Sequence, residues 1–264
     1  MHRNKGNFAN RGHEVVKFYG HWPFRRLFGM QEPASAIFSA GNAIPHIYNF
    51  LNLRERFAPS GNFMTAWLRL YPLVSTVAWL ASVAFHTRQT HFTIALDYCS
   101  ALFLLGYALF VCVLRIAGPN CSVVRQSALW LLGFISLTGY ILRASAIIAG
   151  RVSYGSHMQT CIALAAAHTL LWIGWAVCGV ISTLGKPADP EGHPDRSTFL
   201  LCLFCQLWFS GAALMEIFDF PPIMGHFDAH SLWHAATIPL GFWWYSFWIM
   251  DNSRRLHSSK DKSI

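Results

Sequence analysis

Five polar side chains lie within apolar stretches of this chain, and their types suit metal-assisted hydrolysis. Ser82 and His86 lie in ASVAFHTRQ, Asp97 follows in ALDYCS, and His230 and His234 lie in DAHSLWH. Residues four apart lie on one face of a helix, so the members of each pair should project together. A catalytic zinc ion takes about three protein ligands and keeps one position open for water. We therefore predict a zinc site with His86, His230 and His234 as its ligands.

The two remaining side chains have chemistry that complements such a metal. Asp97 would accept a proton from the attacking water or orient an imidazole. Ser82, one helical turn before His86, would donate a hydrogen bond to the developing oxyanion or to the bound water. Glu216 and Asp228 flank this region and would support the ligands, cap helices or pair with arginine. His91 is a weaker fourth metal candidate.

The composition indicates a membrane protein. Of 264 residues, 54% are hydrophobic and 12% are charged, whereas soluble domains contain about 25% charged residues. Apolar stretches of this length predict membrane-spanning helices, and several contain polar residues, which indicates a bundle with a functional interior. The predicted fold is all-α, a seven-transmembrane-helix bundle, with spans at about 33–53, 63–85, 92–114, 123–146, 158–183, 197–218 and 229–250.

The order of these spans brings the candidate residues together. His86 ends the second span, Asp97 lies near the start of the third, and His230 and His234 lie near the start of the seventh. In an up-and-down bundle these three places share one membrane face. An amphipathic lipid with an ester or amide bond near its headgroup is the natural substrate at that depth.

The net charge of +8 does not indicate nucleic-acid binding, because the basic residues are scattered through short loops and tails. Their excess in alternate loops favours a cytosolic C-terminus, and it outweighs the basic N-terminal tail that points the other way. The end SKDKSI places Lys260 and Lys262 as a dilysine retrieval signal does. We expect an integral protein of the endoplasmic reticulum or Golgi.

We divide the chain into a polar N-terminal tail with an interfacial anchor (1–31), a seven-helix transmembrane hydrolase domain (32–252) and a basic cytosolic tail (253–264). The anchor is HWPFRRLFG, and no apolar segment before it resembles a cleavable signal peptide. Cys202 and Cys205 form a CxxC pair, but its setting LLCLFCQLW is an apolar helix, so we expect packing rather than metal binding.

Two longer motifs carry a family resemblance. AFHTRQTHFTIALDY and DFPPIMGHFDAHSLWHAATIP resemble signatures of the CREST superfamily of membrane hydrolases, which includes alkaline ceramidases and the progestin and adipoQ receptors. HWPFRRLFGMQEPASAIFSAGN and EIFDFPP resemble its GPI-lipid remodelling branch, the Per1-like post-GPI-attachment phospholipases. The likeness runs from about His13 to Asp251.

The resemblance implies seven helices, a lumenal site, and zinc on His86, His230 and His234, with Ser82 and Asp97 at the remaining active-site positions. It implies removal of the sn-2 acyl chain from the inositol phospholipid of GPI-anchored proteins. Glu32 matches a position that binds calcium in the ceramidase branch, although the other acidic calcium ligands are not evident here.

The chain also departs from the family pattern. Members of the branch usually begin with a signal peptide and a cysteine-rich lumenal segment, which these residues do not contain; a shortened N-terminus would explain both. An acidic residue usually stands at Gln89, and a Glu-Lys pair at Ile94 and Ala95. Since the ligand positions match, we expect metal binding to be retained and substrate contacts to differ.

Other functions remain open from the residues alone. A ceramidase-like amidase would use the same metal and the same side chains as an esterase, although the DFPP and QEPAS segments favour the ester. A non-catalytic seven-helix receptor or lipid-binding protein would also fit. A transporter is disfavoured, because the ionisable residues cluster near one face instead of lining a path to both. The sequence does not define the oligomeric state.

Overall fold

The computed structural model describes Lys17 and residues 22–57, 63–118, 122–185 and 195–261. Across these ranges the regular structure is helical, and the only strand-like pairings are two isolated bridges in turns. There are seven long helices and one of four residues: α1 (Pro33–Leu51), α2 (Leu53–Arg56), α3 (Phe63–Thr87), α4 (His91–Ala117), α5 (Val123–Ile148), α6 (Tyr154–Ser182), α7 (Arg196–Phe218) and α8 (Ala229–Asp261).

The predicted all-α membrane fold is confirmed. Each of the seven predicted spans coincides with one long helix, although α6 begins earlier than expected and α8 continues to Asp261. The five helices from α3 to α7 are long and apolar enough to cross a membrane. By contrast, α1 buries a row of polar side chains, and α8 carries two of the candidate histidines; the buried polar residues of α1 include Ser35, Ser39, Asn42, His46 and Asn49.

Six of the long helices form a closed ring. Neighbours around it are α1, α3, α4, α6, α7 and α8, and α8 packs back against α1. Helix α5 lies outside the ring and packs on α4. Large apolar side chains of α5, including Trp130, Leu131 and Phe134, are exposed, as expected of a surface that faces lipid.

Small residues allow close approach at two of the ring's contacts. A Cβ atom on Gly241 of α8 would lie 2.5 Å from the Pro45 ring of α1, and one on Gly179 of α6 would lie 2.2 Å from the Phe199 ring of α7. Small residues serve this purpose in membrane bundles, where backbones must approach closely for van der Waals contact. The α1–α8 contact matters most here, because α8 carries two candidate ligands.

A short turn joins α3, which contains His86, to α4, which contains Asp97. Helix α3 ends at Thr87, and Thr90 caps α4: its hydroxyl accepts a hydrogen bond from the Thr93 backbone, and the Thr93 hydroxyl accepts one from the Thr90 backbone. A reciprocal cap of this kind satisfies two backbone donors that the helix leaves free. The short, capped turn therefore brings the end of α3 and the start of α4 to one end of the bundle, which we call the histidine end.

The opposite end contains the main apolar core. Trp172, Trp244 and Trp248 pack there edge to face, together with the buried thiols of Cys202 and Cys205. This agrees with the packing function expected for the CxxC pair, and the six cysteines in the described ranges are all free. Arg115 and Asp251 form a buried bidentate ion pair beside this core.

Candidate metal centre

Three histidine side chains from two helices converge at the histidine end. The Nε2 atom of His234 lies 3.2 Å from Nε2 of His86 and 3.0 Å from Nε2 of His230. One nitrogen from each ring lies within 4.8 Å of the other two, and this is the one group among the described residues that could hold a metal ion. The predicted His86, His230 and His234 set is thus assembled as the spacing indicated.

His86 is held by a carboxylate from the start of α1. Its Nδ1 atom lies 2.6 Å from Oε2 of Glu32. Pro33 opens α1 directly after Glu32, and the Glu32 backbone N–H donates to the His86 carbonyl 3.0 Å away. The backbone pairing places the carboxylate against the ring, and a partner of this kind fixes the orientation and tautomer of a metal-binding imidazole.

Gln89 and Gln31 extend this contact into the α3–α4 turn. The Gln89 side chain donates to Oε1 of Glu32 at 2.9 Å, and its backbone N–H donates to the Gln31 side chain at 2.6 Å. Gln89 therefore orients the carboxylate that orients His86. The amide at this position therefore supports the contact between Glu32 and His86.

His230 has a matching arrangement on the other side of the cluster. Its Nδ1 atom lies 2.8 Å from Oε2 of Glu216, near the end of α7. The Tyr154 hydroxyl, at the start of α6, donates to the second oxygen of Glu216 at 3.2 Å. Glu216 thus supports a ligand, whereas Asp228 caps α8 by accepting from the Ser231 backbone at 2.8 Å.

His234 is the central member of the cluster and is buried, as His86 is. The Asn42 side chain of α1 donates to its backbone carbonyl at 2.7 Å, and the Trp79 ring of α3 packs against its ring with centroids 5.4 Å apart. Its Nδ1 atom is buried and has no hydrogen-bond partner among the described residues. Only Nε2 of this ring therefore points toward the other two histidines.

The donor set fits a cation better than it fits a hydrogen-bonded cluster. A carboxylate only accepts, so Nδ1 of both His86 and His230 carries the hydrogen and Nε2 of each neutral ring presents a lone pair. His234 can donate one hydrogen at most from Nε2, which leaves another lone pair unmatched in a buried place. Nitrogens bound at about 2.1 Å to one tetrahedral zinc ion are about 3.4 Å apart, close to the separations found here.

Ser82 and Asp97 lie on the helices that border the cluster. The buried Ser82 hydroxyl is 3.0 Å from the hydroxyl of Ser39 in α1, one turn below His86. Asp97 lies in the second turn of α4, at the histidine end. Among the described residues no hydrogen bond joins the Asp97 carboxylate to an imidazole.

Other candidates lie outside the cluster. His91 is exposed at the first position of α4 and does not join the group. Glu32 contacts His86 and Gln89, and the calcium site expected near it stays a prediction. Three residues that the sequence did not single out contact residues of the site. Ser39 of α1 contacts Ser82, Gln31 before α1 contacts Gln89, and Tyr154 of α6 contacts Glu216.

The segment before α1 packs against the turn between α7 and α8. The Arg25 backbone donates to the Gly225 carbonyl at 2.8 Å, and Gly225 has a positive φ where a Cβ atom would collide with the Arg25 side chain. Asp219 accepts from Trp22 at 3.0 Å and pairs with Lys17. Residues 22–26 and the DFPP segment, which lie far apart in sequence, are thus joined at the histidine end.

A sequence model of the Per1-like family matches residues 1–252. The chain belongs to the Per1-like family. Among curated Per1-like relatives, proteins named "GPI-specific phospholipase A2-like PGAP3" from Danio rerio and Homo sapiens are each 30% identical over 257 residues, covering 97% of this chain and 75% of theirs. The "Post-GPI attachment to proteins factor 3" of Drosophila melanogaster is 33% identical over 249 residues, covering 93% and 70%. No solved structure matches this Per1-like chain significantly.

Glu32, the carboxylate that contacts His86 in this Per1-like chain, gives a testable prediction. Glu32→Ala should weaken zinc affinity roughly 10- to 100-fold, because loss of an outer partner frees the His86 ring. Glu32→Gln keeps an acceptor for Nδ1 and should lose less. The measurement is zinc occupancy of purified protein in a series of chelator concentrations.

Glu55→Ala is the matched control, since Glu55 is an exposed carboxylate on α2. It should leave the zinc affinity unchanged. Equal affinities for the wild type and Glu32→Ala would show that the carboxylate does not support the ligand.

Proposed function

We propose that this protein is a zinc-dependent lipid hydrolase that removes the sn-2 acyl chain from the inositol phospholipid of GPI-anchored proteins. The observation that carries the proposal is the convergence of three imidazole nitrogens, two of them backed by carboxylates, at one end of a membrane bundle. Per1-like relatives named as GPI-specific and phospholipase A2-like supply the substrate class.

His86, His230 and His234 would hold the metal in this proposal. A zinc ion bound there would lower the pKa of a coordinated water to about 7 and polarise the ester carbonyl. Glu32 and Glu216 keep His86 and His230 in the tautomer whose Nε2 lone pairs face the centre. Imidazole ligands suit zinc, although they also suit other transition metals.

The remaining side chains act on protons and charge. We assign to Asp97 the transfer of a proton from the attacking water to the leaving alkoxide of the lysolipid, which balances the reaction as a fatty acid plus an alcohol. Ser82, one turn from His86, donates a hydrogen bond to the oxygen that becomes negative during attack. Ser39, which contacts Ser82, holds this hydroxyl in place.

The location of the centre suits a lipid ester. His86 is the second-last residue of α3 and His230 is the second residue of α8, so the imidazoles lie close to the helix ends, near the level of lipid headgroups. In our proposal α1 and α8 also cross the membrane, the histidine end is lumenal, and the C-terminus is cytosolic in the endoplasmic reticulum or Golgi. Lys262, the last lysine of the retrieval signal, lies outside the described residues.

The test is metal content and acyl release on the detergent-purified full chain. About one zinc per chain, with release of the sn-2 fatty acid from a synthetic GPI lipid, is the expected result. A ceramide with the same acyl chain is the comparison substrate. Amide cleavage without ester cleavage would identify a ceramidase-like amidase, and stable lipid binding without turnover would identify a receptor or lipid-binding protein.

A further inference from the structure

An arginine within a membrane-spanning helix lies outside the histidine cluster and has no carboxylate partner among the described residues. Arg143 belongs to the apolar span Val124–Ile148 of α5. Among the described residues no acidic side chain forms an ion pair with it. Charged side chains inside membrane spans are costly, and they normally pair or serve a substrate pathway.

The contacts of Arg143 hold its guanidinium without neutralising it. Its Nη2 atom donates to the Ser156 carbonyl and hydroxyl, both at 2.8 Å, and lies 3.3 Å from the Thr160 hydroxyl. Its Nε atom is buried without a hydrogen-bond partner among the described residues. Within those residues the Nη1 atom has no acceptor either, so a fixed cation with free N–H donors remains.

The guanidinium lies at the same end of the bundle as the histidines. Arg143 is five residues before the end of α5, yet its side chain reaches Ser156, the third residue of α6. That brings the charge close to the helix ends, as a long basic side chain can do near a membrane interface. The histidine cluster lies at a comparable level, near the end of α3 and the start of α8.

Side chains of α4 and α6 connect the arginine to the metal centre. The Tyr98 ring, next to Asp97, stacks on the His157 ring with centroids 4.0 Å apart. His157 contacts Cys161 at 3.5 Å. The first turns of α6 thus contact Arg143 through Ser156 and Thr160, and through Tyr154 they contact Glu216, the partner of His230.

We propose that Arg143, held by Ser156 and Thr160, binds the phosphodiester of the substrate lipid and so positions the sn-2 ester at the metal centre. The proposal rests on the function proposed above and adds a binding site for its headgroup. Phosphate suits the free donors, because guanidinium–phosphate hydrogen bonds are charge-assisted and directional. In a phospholipid only the glycerol carbons and their oxygens separate the phosphate from the sn-2 carbonyl, so a phosphate bound at the histidine end keeps the ester at that end.

Binding of non-hydrolysable lipids tests this proposal separately from turnover. The probes are a dialkyl-ether phosphatidylinositol and the matching dialkylglycerol without phosphate, titrated against the full chain in detergent. Arg143→Gln should raise the Kd of the phosphoinositol lipid roughly 10- to 100-fold, the loss expected for charged hydrogen bonds. The Kd of the dialkylglycerol should not change.

Two further variants make the comparison specific. Arg151→Gln removes an exposed arginine at the same end of the bundle, just after α5, and should leave both Kd values unchanged. Arg143→Lys keeps the charge without the planar fork and should restore part of the affinity; it also serves if the glutamine variant does not fold.

The outcomes separate the two proposals. Equal weakening of both lipids, or no weakening of either, by Arg143→Gln would overturn the phosphate site. Binding of inorganic phosphate as tightly as the phosphoinositol lipid would make a soluble anion the ligand and would also overturn it. Discrimination between the lipids by a protein without hydrolase activity would support the phosphate site while refuting the proposed reaction.

Discussion

Replacement of His234 by alanine should abolish both zinc retention and acyl-ester hydrolysis. Its Nε2 atom is the common neighbour of Nε2 in His86 and in His230, so its removal leaves two ligands and an open centre. Loss of an outer-layer partner alone weakens metal binding about 10- to 100-fold, and loss of a ligand should exceed that. His86→Ala and His230→Ala should behave alike.

Zinc content per chain and fatty-acid release from a GPI lipid are the two measurements. His91→Ala is the matched control, because His91 is an exposed histidine at the same end of the bundle that does not join the cluster. It should retain both zinc and activity. Normal lipid remodelling by His234→Ala would refute the catalytic assignment of the cluster.

The fold and the clustering of the three histidines could be predicted because they depend on local patterns. Apolar stretches define the seven long helices, and spacing of four places His230 and His234 on one face of α8. Because successive helices of an up-and-down bundle alternate in direction, the end of α3 and the start of α8 then lie at the same end of the bundle. None of these inferences requires knowledge of which helices are neighbours.

The support of the ligands could not be predicted, because it depends on packing between distant segments. Glu32 reaches His86 through a backbone pairing between the start of α1 and the end of α3. Tyr154 reaches Glu216 only because α6 and α7 are adjacent. The expectation for Glu32 was a calcium ion, by resemblance, and its contact with the His86 imidazole was not predicted. The apolar pattern of α5 likewise does not indicate that this helix lies outside the ring.

Two functions had been open for Asp97: orientation of an imidazole or transfer of a proton. The structure provides carboxylates for the first function elsewhere, with Glu32 on His86 and Glu216 on His230. Asp97 lies in the second turn of α4, at the same end of the bundle as the cluster, and among the described residues its carboxylate makes no hydrogen bond to an imidazole. We therefore propose proton transfer for Asp97.

Asp97→Asn should lower kcat for acyl release about 100- to 10,000-fold, the range for loss of a general acid–base group. Zinc content and the thermal unfolding midpoint should stay at wild-type values, since asparagine has the same shape and Asp97 orients no ligand. KM should change little, because the proton moves in the transition state rather than on binding.

A matched control separates this effect from a general loss of negative charge at the histidine end. Asp219→Asn alters an exposed carboxylate there, one that contacts Lys17 and Trp22 and, among the described residues, no histidine. Its kcat should stay close to wild type. If Asp97→Asn instead lost zinc in parallel with activity, Asp97 would support a ligand rather than transfer the proton. If it kept full activity, the proton would have to leave through another group, and Glu32 or Glu216 would be next to test.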